Sequence, residues 1–189
     1  MLAGGGSRRF GSDKLAVLIE GVPLLHYPIL RLAEVCREVV VVLAPDADEP
    51  STPLAVPVRL VRDASAGEGP LAGVLAGLSE VGTDWALVAG GDMPTLQTSV
   101  LLEMLTVAGQ ADVDAVALRD GDRLRPLPLV LRSRPAREAA HALLHAGERR
   151  LRALPDALRT AAIDEPTWVG LDPQRATLRD VDEPRDLER

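Results

Sequence analysis

Residues 38–44 read EVVVVLA. Four consecutive valines leave no solvent side, so as a strand this run is covered on both faces, the mark of a buried parallel sheet. Working outward from it, further strand-like runs stand at VRLVRD (58–63), DWALVAGGD (84–92), which ends in a glycine turn, and DAVALR (114–119). LPLVLR (127–132) follows the DGD turn at 120–122 and reads as the neighbour of 114–119, and TLRDV (177–181) reads as a late, short strand. Helical periodicity fills the intervals at roughly 23–36, 70–81, 98–109 and 134–146, with a short helix near 148–154 and a last one from Glu183. Segments 45–57 and 164–176 are rich in proline and acid and read as surface loops. Strands alternating with helices of this length predict an α/β fold: a three-layer α/β/α sandwich around a mostly parallel, Rossmann-like sheet. The length of 189 residues predicts one domain over 1–189.

Composition narrows the class. The chain is 47% apolar and 26% charged, which excludes a disordered or collagen-like polymer. No apolar run reaches the roughly 18–20 residues of a membrane span, and the start, MLAGGGSRRF, lacks the apolar core of a secretory signal. A single cysteine, Cys36, excludes an internal disulfide and predicts a cytoplasmic protein. The net charge of −7 argues against general nucleic-acid binding. Two basic islands stand against it: residues 1–14, and residues 132–159 with seven arginines and three acids. Both suit small anionic ligands, though a solvated helix face explains the second equally well. There are twenty arginines but one lysine, Lys14, and the two side chains are not interchangeable at a crowded phosphate.

Three segments carry candidate chemistry. In LAGGGSRRFGSDK (2–14), Gly4, Gly5 and Gly6 allow close approach of backbone N–H groups to an anion, and Arg9 and Lys14 supply positive charge. A Walker loop needs Lys directly after its last glycine, and a dinucleotide fingerprint needs glycine where Arg9 stands, so a triphosphate remains. Only Met1, Leu2 and Ala3 precede the glycines, where a full strand is expected, so either the first strand is a stub or a few residues upstream of Met1 complete it, the second being the expectation. In GGDMP (90–94), Asp92 lies at a strand's C-terminal end, where open α/β sheets bind ligands, and suits a hard cation such as Mg²⁺. In RDASAGEGPLAG (62–73), Asp63 also ends a strand, and Pro70 opens a helix. His26, His141 and His145 have no metal-ligand spacing with Cys36 and read as structural. Of Asp180 and Asp182, at the end of the last strand, one is expected to approach the metal; the alternative is that both solvate the acidic tail.

At these residues the sequence resembles the molybdenum cofactor guanylyltransferase family of the nucleotidyltransferase superfamily. The resemblance runs through LAGGGSRRFGSDK, GVPLL (21–25), the GPLAG of 69–73 with Asp63 before it, GGDMP, AGERR (146–150) and DVDEPRDL (180–187). It implies transfer of GMP from Mg²⁺·GTP to the phosphate of molybdopterin, with pyrophosphate leaving. It also implies a nucleotide-binding half over about 1–95 and an acceptor half over about 96–189. By motif, Leu2, Ala3, Gly4, Gly5 and Gly6 would contact the nucleotide, Lys14 and Arg9 its phosphates, Asp63 the guanosine, and Asp92 the Mg²⁺, with Asp182 as a second metal ligand. Molybdoenzymes or cofactor-insertion proteins would be further partners. The family's C-terminal motif often has asparagines where Asp180 and Asp182 stand, and the asparagine expected after the second strand is replaced by Ala44 or Pro45. A cytidylyltransferase for the same cofactor, or a nucleotide-binding paralogue without catalysis, are the alternative readings.

Overall fold

The computed structural model describes residues 1–4, 14–63, 68–182 and 186. A 3-10 turn at Lys14–Ala16 leads into a small hairpin of β1 (Leu18–Ile19) and β2 (Val22–Pro23), turned by Glu20 and Gly21 with positive φ. Helix α1 (His26–Ala33) follows. The helix expected over 23–36 is thus shorter at both ends, because its first residues pair in the hairpin. Then come β3 (Val39–Leu43), β4 (Val58–Arg62), α2 (Pro70–Glu80), β5 (Trp85–Val88) and α3 (Thr98–Gln110). The second half runs β6 (Ala115–Asp120), β7 (Arg123–Arg132), α4 (Ser133–His145), α5 (Ala153–Asp156), β8 (Thr160–Ile163) and α6 (Glu165–Leu171).

The valine run behaves as its composition demands: every residue of β3 is buried. β3 pairs in parallel with β4, and Leu2 bridges in parallel both to Val42 of β3 and to Gly90 just beyond β5. The order continues β5–β7–β6–β8, with β6 and β8 parallel and β7 antiparallel to both of its neighbours. The reversal at β7 follows from the Gly121 turn (φ +58°), too short for the crossover that a parallel strand requires. Alternate residues of the sheet face opposite helices. Ala115, Ala117, Leu129 and Leu131 pack with α2 and α4, while Val116, Leu118 and Val130 pack with α3 and Trp168 of α6. The third cluster joins α1 to Val39, Val41 and Leu43.

Three expectations along the second half are corrected. Residues 177–181 are no strand: Ala176–Leu178 forms a 3-10 turn, because the Thr177 N–H is taken by the buried Asp172 carboxylate and the Ala176 carbonyl by Thr95. The strand at Thr160–Ile163 was not expected, since alanines carry little strand preference; its pairing with β6 defines it. The loop read over 164–176 contains α6, and Pro166 in the first turn after Asp164 is a start signal that the acid- and proline-rich composition obscured. The expected helix from Glu183 lies mostly outside the described residues.

Met1–Ala3 is tied into the sheet on both sides. Leu2 donates to the Ala89 carbonyl and accepts from Gly91 N–H, while Ala3 donates to Val42 O and Val42 donates to Met1 O. The Met1 ammonium donates to Val40 O at 2.7 Å in a buried position. Burial pulls its pKa from 8.0 down to about 6, against a smaller opposing effect of Cys36. Keeping it charged there costs roughly 3 kcal/mol.

Candidate active site

The described parts of the motifs gather at the C-terminal ends of the parallel strands. Gly4 leaves the sheet beside the end of β3, where a Cβ would stand 3.0 Å from Ala44 N. Asp63 directly follows β4 and donates its N–H to Leu43 O at 2.9 Å. Asp92 follows β5 on the GGDMP turn. Gly5, Gly6 and Arg9 lie outside the described residues.

Lys14, far from Asp92 in sequence, reaches it in space. Its Nζ donates to Asp92 Oδ2 at 2.8 Å and stands 3.6 Å from Asp182 Oδ1. The lysine side chain is 15% exposed, Asp92 30% and Asp182 60%, so the ammonium is enclosed while the carboxylates open towards solvent. The segment carrying Asp182 is pinned onto the GGDMP turn. Val181 N–H donates to Asp92 O, Thr95 Oγ1 donates to Ala176 O, and Gln97 N–H donates to Thr177 Oγ1. These pins were missed in the sequence, because single threonines spread over 82 positions carry no spacing signal. Asp180 also belongs to this cluster. Burial raises its carboxyl above the usual range, and the Asp182 and Asp92 charges push the same way, against Arg125 on β7. Among the described residues, no three His, Cys, Asp or Glu side chains form a group able to hold a metal ion by themselves.

Two motifs far apart in sequence meet on the other flank. Gly69, at the start of α2, has φ +82°, and a Cβ there would stand 2.8 Å from Arg149 O. Only glycine suits that conformation and that approach. Glu148 accepts from the N–H groups of Arg149 and Arg150, which holds AGERR in shape against GPLAG. The arginines of 132–159 are largely committed locally. Arg132 lies 4.7 Å over the Trp85 ring, Arg134 pairs with Glu138, Arg150 with Glu148, and Arg159 with Asp112 and Asp114. That island is therefore a paired surface more than an open anion site. His26 is bonded to Ser51, and His141 and His145 are exposed on α4.

Gly4 beside the end of β3, a lysine paired with a strand-end aspartate and a second aspartate from the C-terminal segment thus lie at the C-terminal ends of the strands. The MobA-like NTP transferase domain model matches residues 1–162. The chain belongs to this family. It is a nucleotidyltransferase. Among its MobA-like relatives, a probable molybdenum cofactor guanylyltransferase of Chloroflexus aggregans is 34% identical over 192 residues, covering 99% of this chain and 89% of that protein. One of the same name from Mycobacterium marinum is 34% identical over 168 residues, covering 86% of this chain and 81% of its own. The fold is shared with molybdopterin-guanine dinucleotide biosynthesis protein A of Archaeoglobus fulgidus, at TM-score 0.78 and 21% identity over all of this chain and 93% of that one. It is also shared with 2-C-methyl-D-erythritol 4-phosphate cytidylyltransferase of Thermus thermophilus, at TM-score 0.71 and 18% identity over 99% of this chain and 94% of that one. The expected α/β nucleotidyltransferase fold is thus the fold observed. No helix among the described residues is long and apolar enough to cross a membrane.

Proposed function

We propose that the protein transfers GMP from GTP to the terminal phosphate of molybdopterin. An oxygen of the acceptor phosphate attacks the α-phosphorus in line; the bond from that phosphorus to the β-bridging oxygen breaks, and pyrophosphate leaves. The observation that carries this reading is the 2.8 Å pair between Lys14 and Asp92 at the strand ends, with Asp182 brought to the same ammonium. The names of the relatives, and the GPLAG and AGERR motifs that carry the resemblance, favour guanine and molybdopterin over other substrates.

The donor set suits Mg²⁺. That ion is ordinarily held by one or two carboxylates together with substrate phosphates, so a closed protein cage is not required. Asp92 and Asp182 present hard oxygens around a point already occupied by a cation, the Lys14 ammonium. When bound, Mg²⁺ supplies charge neutralisation on the phosphate oxygens. Lys14 then exchanges its carboxylate partner for the phosphates and, with Arg9, stabilises the charge that develops on the leaving pyrophosphate. The Gly4–Gly6 loop positions the phosphates through backbone N–H groups, and Asp63 holds the guanosine part. The first half, about 1–95, binds the nucleotide, and 96–189 the acceptor.

The test is a binding screen of GTP, CTP, ATP and UTP with Mg²⁺, followed by pyrophosphate release with molybdopterin. GTP binds at least tenfold more tightly than the others, and release requires molybdopterin; preference for CTP overturns the guanylyl reading. The GGDMP turn offers a further check. A Cβ on Gly90 would stand 2.4 Å from Asp92 Oδ1, so Gly90→Ala forces the carboxylate to rotate away from Lys14. Displacements of this size cost roughly 100-fold in rate. Activity falls on that scale while the melting temperature stays within a few degrees; unchanged turnover would show that the carboxylate position is irrelevant.

A further inference from the structure

β7 breaks its ladder where it passes the candidate site. Val88 pairs with Leu129 in antiparallel register, so the chain before Leu129 runs beside the GGDMP turn, and the same register carried on to Asp92 reaches Arg125. On the other edge of β7, Leu129 pairs with Ala117 and Leu124 with Arg119, so residues 125–128 stand opposite Leu118 alone. Pro126 and Pro128 have no N–H to give to a ladder, which is why the pairing fails there. Such a bulge re-aims a side chain. Leu127 packs against the cluster holding Ala89 and Met93 as well as the one holding Leu129, which fixes the bulge in place.

The guanidinium of Arg125 is left without an acceptor. Its Nε is buried and has no hydrogen-bond partner among the described residues. Its Nη1 stands 3.7 Å from Asp120 Oδ2, beyond hydrogen-bond reach, while Asp120 Oδ1 is taken by Arg175. The side chain is 39% exposed, so the fork is open at its tip. A buried cationic donor left unpaired is costly, and a ligand that accepts from it removes that cost. Arg125 also acts electrostatically on Asp180, as Asp92 and Asp182 do, which places it beside the carboxylate cluster. Sheet order sets its side. Gly90 bridges to Leu2, and beyond Leu2 lies β3 with Gly4 at its end, whereas β7 lies on the opposite edge of β5. Asp92 therefore stands between the nucleotide motifs and Arg125.

We propose that Arg125 binds the acceptor's phosphate monoester, donating Nε–H and one Nη–H to two of its oxygens and leaving the third free to attack the α-phosphorus. A planar fork matches two phosphate oxygens, and attack in line needs the acceptor on the side away from the leaving pyrophosphate. This rests on the acceptor attack proposed above, whichever nucleotide supplies the transferred group.

The experiment uses the full chain, Arg125→Gln and Arg125→Lys. Phenyl phosphate, titrated in with Mg²⁺, shifts the Arg125 Nε–Hε nuclear magnetic resonance signal saturably, and benzoate does so at least tenfold more weakly. In pyrophosphate release, Arg125→Gln raises the acceptor KM by roughly 10- to 150-fold, the loss of one charged hydrogen bond or more, while the GTP KM stays within about twofold. Arg125→Lys recovers only part of this, because a point charge lacks the fork. An Nε–Hε signal that ignores phenyl phosphate, or that answers benzoate equally, overturns the proposal. So does an unchanged acceptor KM in Arg125→Gln. A merely structural ion-pair role lowers the melting temperature and weakens GTP and acceptor alike, and that pattern overturns it too. If the unaltered protein releases no pyrophosphate from GTP and molybdopterin, the substrate reading fails, and the phenyl phosphate titration decides the role of Arg125 by itself.

Discussion

Asp92→Asn abolishes nucleotidyl transfer and leaves the fold intact. The substitution keeps the size of the side chain and retains the Asp92 carbonyl that accepts from Val181 N–H, so the C-terminal segment stays pinned to the turn. What disappears is one negative charge beside Lys14, in a carboxylate 30% exposed at a strand end. An ion pair open to solvent contributes at most about 1 kcal/mol to stability, so the melting temperature moves by only a few degrees. The catalytic loss is far larger, because in the proposed reaction the same charge holds the cation that would neutralise the transferring phosphate. Removing one preorganised electrostatic group of this kind costs about 100- to 1,000-fold in kcat. Steady-state pyrophosphate release at saturating Mg²⁺, with the melting temperature alongside, checks both halves. Turnover close to that of the unmodified protein removes Asp92 from the proposed metal site.

Lys14→Arg is damaging even though charge is conserved. In a chain with twenty arginines and one lysine, the exception stands at the enclosed point between Asp92 and Asp182. An ammonium there is a compact donor that turns freely from carboxylate to phosphate, whereas a guanidinium is a wider, planar fork. With the side chain only 15% exposed, the fork has little room to reorient. Loss of one charge-assisted contact of about 1.5–3 kcal/mol lowers kcat/KM by roughly 10- to 150-fold. Lys14→Ala falls at least as far. Near-normal kinetics in the arginine variant would reduce the lone lysine to an accident of composition, and near-normal kinetics in both would take Lys14 out of the site.

The elements that were legible from sequence are those whose signal is local. The β3 valines, the α2 start at Pro70 and the Gly121 turn before β7 each follow from side chains within a few residues. The motifs were likewise legible, because a glycine-rich run and an aspartate directly after a strand are local patterns. β8 was illegible for the opposite reason: TAAI has no pattern of its own and becomes a strand only because β6 offers an open edge. The 177–181 run had strand-like alternation, yet Asp172 and Thr95 outbid the ladder for its backbone groups.

Sequence by itself therefore determined the α/β class and the family, since each depends on covalent chemistry and short-range periodicity, and it supplied the candidate residues of the site. Only the tertiary structure decided which of those residues meet. Lys14 reaches Asp92 across 78 positions, Asp182 arrives on a segment held by hydrogen bonds to Asp92, Thr95 and Gln97, and Gly69 lies against Arg149 from the opposite half of the chain. Those contacts depend on sheet order and on the competition for backbone hydrogen bonds, neither of which is encoded at any single position.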